Sequence, residues 1–332
     1  MEHIGNESEV AWDSSAEQRF FQSPDLGDIY SRMTRHGVLR FSKVDHGEVK
    51  GYAQAVLFRE GPPLLGALVS HATIRHGPVM RPDCSTSDWA TFLKQIINET
   101  RDTMTYLRIY PGRMAIPEKA AADAGFQRTP WLDFFIDLER PERSILAGMS
   151  KDRRYGIRKG TERGVSVSTA DNREDVEQAY QLLLQTHKRA RFPLEPLGFF
   201  TEVFTNFARD RFCILIAKHQ DNPLATCVVA VDGRSGVNWY AGSSSDSSAS
   251  RLYANDVVIW EAIRWSRSRG LSLFEMGGGG IPGDRRGFVS FKKQFGGETV
   301  DVGRYTFAPK PWKFGLASRG FGVVRIIRRL SR

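Results

Sequence analysis

At 332 residues, 41% of them hydrophobic and 26% charged, the chain is long enough for about two domains of roughly 150 residues and too apolar to be disordered by composition. Its 47 Lys and Arg against 38 Asp and Glu leave a formal +9, which suits a polyanionic partner, a phosphorylated substrate, an anionic membrane surface or simply a soluble enzyme with a basic surface. Three cysteines, Cys84, Cys213 and Cys227, exclude a disulfide framework. The polar first twenty residues carry no signal-peptide pattern, and no run reaches the roughly 18 apolar residues of a membrane span, so the expectation is a cytoplasmic chain with at most peripheral membrane contact.

Residues 38–44, 52–58 and 64–70 read as strands, separated by Asp45-His-Gly47 and Gly61-Pro-Pro63. Ser87 is the expected N-cap of a helix whose apolar stripe is Trp89, Phe92, Leu93, Ile96 and Ile97. A strand over 106–109 stops at Pro111-Gly112, an alanine-rich helix over 117–124 ends at Gly125, and 131–138 is a further strand. Glu139-Arg-Pro141-Glu marks the expected boundary, giving a first domain over 1–140, a second over 141–309 and a basic tail over 310–332.

In the second half, Val176, Ala179, Tyr180, Leu183, Leu184 and His187 recur at helical spacings. Residues 212–218, 224–231 and 237–241 form an antiparallel meander turned at Asp221-Asn-Pro223 and at Asp232 to Gly236. A helix over about 252–269 carries Asn255, Trp260 and Trp265, and a strand over 271–276 runs into Gly277 to Gly280. Strands and helices alternate twice, so the class is mixed α/β in two consecutive units.

Lys292 lies between Phe291 and Phe295 just after this glycine-rich exit. Acyl transfer passes through a tetrahedral intermediate whose oxygen becomes negative, and a fixed cation in an apolar site stabilises it. Phe291 supplies an apolar wall, and the neighbouring Lys293 is the surface member of the pair. Lys151, Arg153, Arg154, Arg158, Lys159 and Arg163 crowd one helix with only Asp152 and Glu162 to balance them. Phosphate contact and an ordinary solvated face both stay open for it. The glycine run lacks the helix that a GxGxxG cradle needs, leaving close backbone approach to a ligand or a plain turn. The seven histidines show no metal-ligand spacing, and no nucleophile elbow is present, so no metal site is expected.

The order of these pieces resembles the Fem-type (FemABX) aminoacyl-tRNA-dependent peptidyltransferases. The matching elements are Arg75-His-Gly-Pro-Val79, Leu107-Arg-Ile-Tyr-Pro111, the basic helix from Lys151 to Val165, Trp239-Tyr-Ala-Gly242 and Phe291-Lys-Lys-Gln-Phe-Gly-Gly297. The resemblance implies two tandem GNAT-like domains. It also implies transfer of an amino acid from aminoacyl-tRNA to the stem peptide of a nucleotide- or lipid-linked peptidoglycan precursor, in cell-wall biogenesis. Lys292 and Tyr240 then stand at the catalytic positions. Arg32, in the segment Leu26-Gly-Asp-Ile-Tyr-Ser-Arg32, matches the basic residue against the precursor diphosphate, although Asp28 replaces the family's tryptophan there. Arg189 and Arg191, in His187-Lys-Arg-Ala-Arg-Phe-Pro193, offer a second substrate cluster, with Glu195 falling near the same position by another alignment. Asn255 and Phe291 are expected on the substrate side, and Arg153, Arg154, Arg158 and Lys159 at tRNA or phosphate.

The donor ester is already activated, so the reading requires no cofactor, and the chain is expected to act as a monomer. The alternative is a GNAT N-acyltransferase fed by acyl-coenzyme A. Such enzymes hold the cofactor diphosphate on an Arg/Gln-x-x-Gly-x-Gly/Ala turn, whereas the crossover here reads Gly242-Ser-Ser-Ser-Asp-Ser-Ser-Ala-Ser-Arg251. In the tail, Lys310, Lys313, Arg319, Arg325, Arg328, Arg329 and Arg332 interleave with Phe321, Val323, Val324, Ile326, Ile327 and Leu330. That pattern suits a helix in an anionic membrane interface or one folded back on the first domain.

Overall fold

The computed structural model describes residues 19–60, 69–207, 209–284 and 287–312. The tail expectations for 313–332 therefore lie outside the described residues. The strands in chain order are β1 (His36–Asp45), β2 (Glu48–Glu60), β3 (Val69–Arg75), β4 (Val79–Met80), β5 (Tyr106–Tyr110), β6 (Gln127–Thr129) and β7 (Leu132–Asp137). They continue as β8 (Ser166–Thr169), β9 (Phe212–His219), β10 (Asn222–Asp232), β11 (Ser235–Ser243), β12 (Leu273–Glu275), β13 (Glu298–Asp301) and β14 (Arg304–Phe307).

Two mixed sheets result. One has the order β1-β2-β3-β5-β14-β6, with β4 beside β2; the other runs β13-β7-β12-β11-β10-β9-β8. Among the described residues the first unit holds 19–128 and 304–312, and the second holds 129–303. The expected boundary at 139–142 is thereby corrected. β7 pairs with β12 and β13 in the second sheet, and β14 pairs with β5 in the first. Both partnerships join strands far apart in sequence, which local break signals do not encode.

In the first unit Ser85, not Ser87, caps the helix Thr86–Thr100. Its hydroxyl accepts from the Asp88 amide while the Asp88 carboxylate accepts from the Ser85 amide, a full capping box. The helix buries Phe92, Leu93 and Ile96 against Ala72, Ile74 and Leu107 of the sheet.

In the second unit β10 is buried continuously from Leu224 to Ala230, as befits a central strand covered on both faces. Gln220 and Asp221 take positive φ and close the β9–β10 hairpin. One face packs Phe134, Ile136, Cys227, Val229 and Phe274 against the helices Lys151–Glu162 and Ala254–Ser268, and each large side chain so removed from water contributes about 1.5–3 kcal/mol. The helices Arg173–Ala190 and Leu197–Asn206 belong to the other face. A Cβ on Gly242 would stand 2.7 Å from the Leu182 carbonyl oxygen, so β11 admits the longer helix only because residue 242 is glycine. The helix expected over about 252–269 is two, Ser247–Arg251 and Ala254–Ser268, broken at Tyr253 with φ of 56°. Among the described residues no helix is long and apolar enough to cross a membrane.

Candidate functional site

β11 and β12 are parallel but pair only from Ser235 to Val237 and from Leu273 to Glu275. β11 then continues along β10, while the chain leaves β12 into the glycine run. The buried Asn238 spans the place where they part: its Nδ2 donates to the Met276 carbonyl at 3.4 Å, and its Oδ1 accepts from Cys227 Sγ at 3.4 Å. Immediately afterwards β11 bulges, with Val229 opposite Asn238 and Val228 opposite Tyr240. The extra residue sends two consecutive aromatics to the same group of helices. Trp239 meets Phe199 at 5.7 Å between ring centroids, and Tyr240 meets Phe200 at 5.1 Å and His187 at 5.9 Å.

The glycine run packs against the chain's own strands rather than forming a loose turn. Gly277 has φ of +71°, and a Cβ there would lie 2.8 Å from the Asn238 carbonyl oxygen. Gly279 faces the Phe134 ring, where a Cβ would come within 2.5 Å, and its amide donates to the Leu132 carbonyl at 2.7 Å. This geometry fixes the carbonyls of Gly277 and Gly278, and they receive Lys292. Its ammonium donates to Gly277 O at 2.5 Å and to Gly278 O at 3.2 Å.

Lys292 sits at the end of the helix Gly287–Lys293, where the partial negative charge of the helix terminus also favours a cation. Part of its length is exposed, but its ammonium lies among buried groups. Phe295 is buried, Phe291 is half-buried with its ring 5.1 Å away, and Lys293 is exposed. An ammonium has three N–H donors, so two on carbonyls leave one for a further acceptor.

Two carboxyls that the sequence reading missed complete the cluster. Asp133 and Glu275 are each only 4% exposed. Glu275 stands opposite Phe135 in the β7–β12 ladder, and Asp133, two residues along β7, points to the same face. Burial and then the Glu275 charge push the Asp133 carboxyl well above the usual carboxylate range, against the pull of Lys292. Burial pulls the Lys292 ammonium below the usual lysine range, while Asp133, Glu275 and Cys227 oppose that shift. The available sequence signal was a lone acid in each of two apolar strand runs, Leu132-Asp-Phe-Phe and Leu273-Phe-Glu-Met.

The basic helix is more internally compensated than its sequence suggests. Arg153 forms an ion pair with the buried Asp256 and lays its guanidinium 4.8 Å from the Phe291 ring centre. It is therefore withdrawn from the phosphate-contact set. Arg154 donates to the carbonyls of Ala147 and Met149, and Glu162 takes both Arg158 and Lys159 at 2.7 Å. Along the outer side of this helix runs an open groove of about 680 Å³, lined by Leu146, Lys151, Arg154, Tyr155 and Arg158 among others.

Arg189 is exposed and donates to Thr186 Oγ1 at 3.0 Å and Ser243 O at 2.9 Å. Arg191, also exposed, takes φ of 56° where the helix ends. Asn255 is half-buried on the first turn of Ala254–Ser268. Arg32 is exposed at the end of the helix Pro24–Arg32 in the first unit, where Asp28 pairs with Arg40. Among the described residues no group of three or more His, Cys, Asp or Glu is placed to hold a metal ion.

Residues 148–285 match the family model of the acetyltransferase (GNAT) domain. No curated protein matches the sequence. Among solved structures the chain is similar to FemX, at 14% identity over 87% of this chain and 92% of that one, with a TM-score of 0.65. It is similar to L-PGS from Bacillus licheniformis, at 11% identity over 92% of each chain and a TM-score of 0.54. A tandem GNAT protein from the clavulanic acid biosynthesis pathway gives 14% identity, 86% and 88% coverage and a TM-score of 0.50. At such identities these likenesses establish the fold. Residues 148–285 thus match the acetyltransferase (GNAT) domain, and the chain has the mixed α/β fold seen in tandem GNAT structures.

Proposed function

We propose that this chain is an aminoacyltransferase that moves an amino acid from aminoacyl-tRNA onto an amine of the stem peptide of a peptidoglycan precursor. The observation that carries the reading is the Lys292 ammonium, held on two glycine carbonyls where β11 and β12 part, with one N–H donor to spare. The attacking amine forms a C–N bond to the donor carbonyl, and the carbonyl oxygen takes up negative charge. As the ester C–O bond breaks, the ribose oxygen leaves and the proton lost by the amine is returned to it. A preorganised donor to the developing oxyanion contributes about 2.7–4 kcal/mol to the transition state.

The choice of donor rests on the motif order shared with the Fem-type enzymes, and the likeness of fold to FemX supports it. In this reading Arg32 meets the precursor diphosphate, Arg189 and Arg191 serve the substrate, and Asn255, Phe291 and Tyr240 shape the site. The groove beside Lys151–Glu162, with its cations and the exposed ring of Tyr155, receives the tRNA. Single-stranded nucleic acid is held by this combination of positive charge and a stacking surface.

The second reading is an N-acyltransferase using acyl-coenzyme A, favoured by the match of residues 148–285 to the acetyltransferase (GNAT) domain. One experiment separates them. The protein is incubated with precursor peptides and a radiolabelled charged tRNA pool, with labelled acetyl-coenzyme A in parallel. Label arriving from tRNA supports the proposal, and label arriving only from the coenzyme overturns it.

A further inference from the structure

Asp133 and Glu275 lie as near neighbours on one face of the paired strands β7 and β12, and each is only 4% exposed. Two carboxylates held side by side out of water repel each other, which favours a proton on one of the two. The Phe134 amide donates to Asp133 Oδ1 at 2.7 Å, which leaves Oδ2 to carry that proton. The groups acting on this pair are Lys292, from the helix Gly287–Lys293, and Cys227 of β10, whose thiol burial keeps neutral. Glu298, on the same face of β13, is exposed to solvent.

Charge counting then decides the state of the cluster. With both carboxyls ionised, the three side chains carry a buried net charge of −1, which would oppose an oxyanion. With both neutral, the ammonium is a buried cation with no counter-charge, a costly arrangement. One proton on the pair gives zero.

We propose that Asp133 and Glu275 are positioning residues for Lys292, sharing a single proton so that the three form an electroneutral buried cluster that keeps the ammonium charged and fixed at the glycine carbonyls. The inference rests on the reading of Lys292 as the cation for the reacting oxygen. It holds for either acyl donor.

The test needs no substrate, so its failure and a failure of the donor assignment are distinguishable. The infrared spectrum of the wild-type protein at pH 7 should contain the carbonyl stretch of a buried protonated carboxylic acid, and D133N should lack it. Thermal unfolding of wild type, D133N and D133N/E275Q between pH 5 and 9 adds the sign. Asp133 binds its proton more tightly when folded, so wild type loses stability as pH rises above the ordinary aspartate range, and D133N escapes that loss. The gap between them should widen by several degrees toward pH 9. In D133N/E275Q the ammonium has no counter-ion and its folded state binds fewer protons than the unfolded chain. Relative to D133N, its stability should therefore rise with pH. Absence of the acid band in the wild type overturns the proposal even if the variants fail to fold. Parallel pH profiles for D133N and wild type overturn it as well.

Discussion

Replacing Arg153 by methionine keeps the aliphatic length of the side chain and leaves Asp256 without its cation. In the folded protein these side chains are 19% and 6% exposed, and Gly156 brings the helix so close that a Cβ there would lie 2.8 Å from Asp256 Oδ2. Burial raises the Asp256 carboxyl from 3.8 to about 6, outweighing the attraction of Arg153. Without that attraction it must rise further. At pH 5 the carboxyl is then protonated in both proteins, and Arg153→Met loses only a hydrogen bond and the contact with Phe291, about 1–2 kcal/mol. At pH 8 wild type holds an ion pair, whereas in the variant the Asp256 carboxyl must either keep its proton or be buried without a cation, and the loss should reach about 3–5 kcal/mol.

Asp256→Asn must behave in the opposite sense. Wild-type Asp256 has a raised pKa, so the stability it contributes is full below the ordinary aspartate value and declines as pH rises through about 6. Asparagine does not titrate, so the deficit of Asp256→Asn should shrink between pH 5 and pH 8. One pH unit below the folded pKa corresponds to about 1.4 kcal/mol. Urea unfolding of both variants at the two pH values, with m-values compared, measures this directly. A loss for Arg153→Met that does not change with pH would refute the reasoning, as would a deficit for Asp256→Asn that grows.

Three further outcomes are expected. Lys292→Ala should lower turnover by roughly two to three orders of magnitude with little change in precursor binding, whereas the exposed Lys293→Ala stays near wild type; exchanged behaviour in the steady-state kinetics would misplace the site by one residue. Arg32→Ala should raise the KM for a diphosphate-bearing acceptor but not for a minimal peptide, and equal effects on both would remove Arg32 from phosphate recognition. Gly277→Ala forces a side chain onto φ of +71° within 2.8 Å of the Asn238 carbonyl oxygen and should cost more than about 1 kcal/mol, so an unchanged melting temperature would contradict the packing described.

The elements with strong local patterns were legible: the meander β9–β11, the basic helix, and the placement of Lys292 beside the glycine exit. The internal partners of the cations were not. Arg153 lies 103 residues from Asp256, and nothing local tells a charged helix face that a buried carboxylate awaits it. The surroundings of Tyr240 were also not legible. Strict alternation sends Trp239 and Tyr240 to opposite faces of β11, but the bulge inserts one residue and both rings meet the aromatics of neighbouring elements. Asp133 and Glu275 were each visible as an oddity in an apolar run. Their meeting depends on β7 pairing with β12, which is the same non-local event that misplaced the domain boundary.

That pairing also places part of the proposed site outside the matched GNAT domain. The match over 148–285 contains Asn238 and Glu275 but starts after Asp133 and stops before Lys292. β12 is three residues long and is flanked by β11 on one edge and β7 on the other, with β13 covering the far side of β7. A fragment restricted to the matched residues would leave the second edge of β12 unpaired. Phe274 would lose Phe134 and Ile136 as core neighbours, and Glu275 would be without Asp133 and Lys292. The segment before the domain supplies the acid, the segment after it supplies the ammonium, and the short strand between them lines up the carbonyls that hold it. In the proposed mechanism this strand exchange is part of the chemistry, because it brings together the three side chains proposed to set the field at the reacting oxygen.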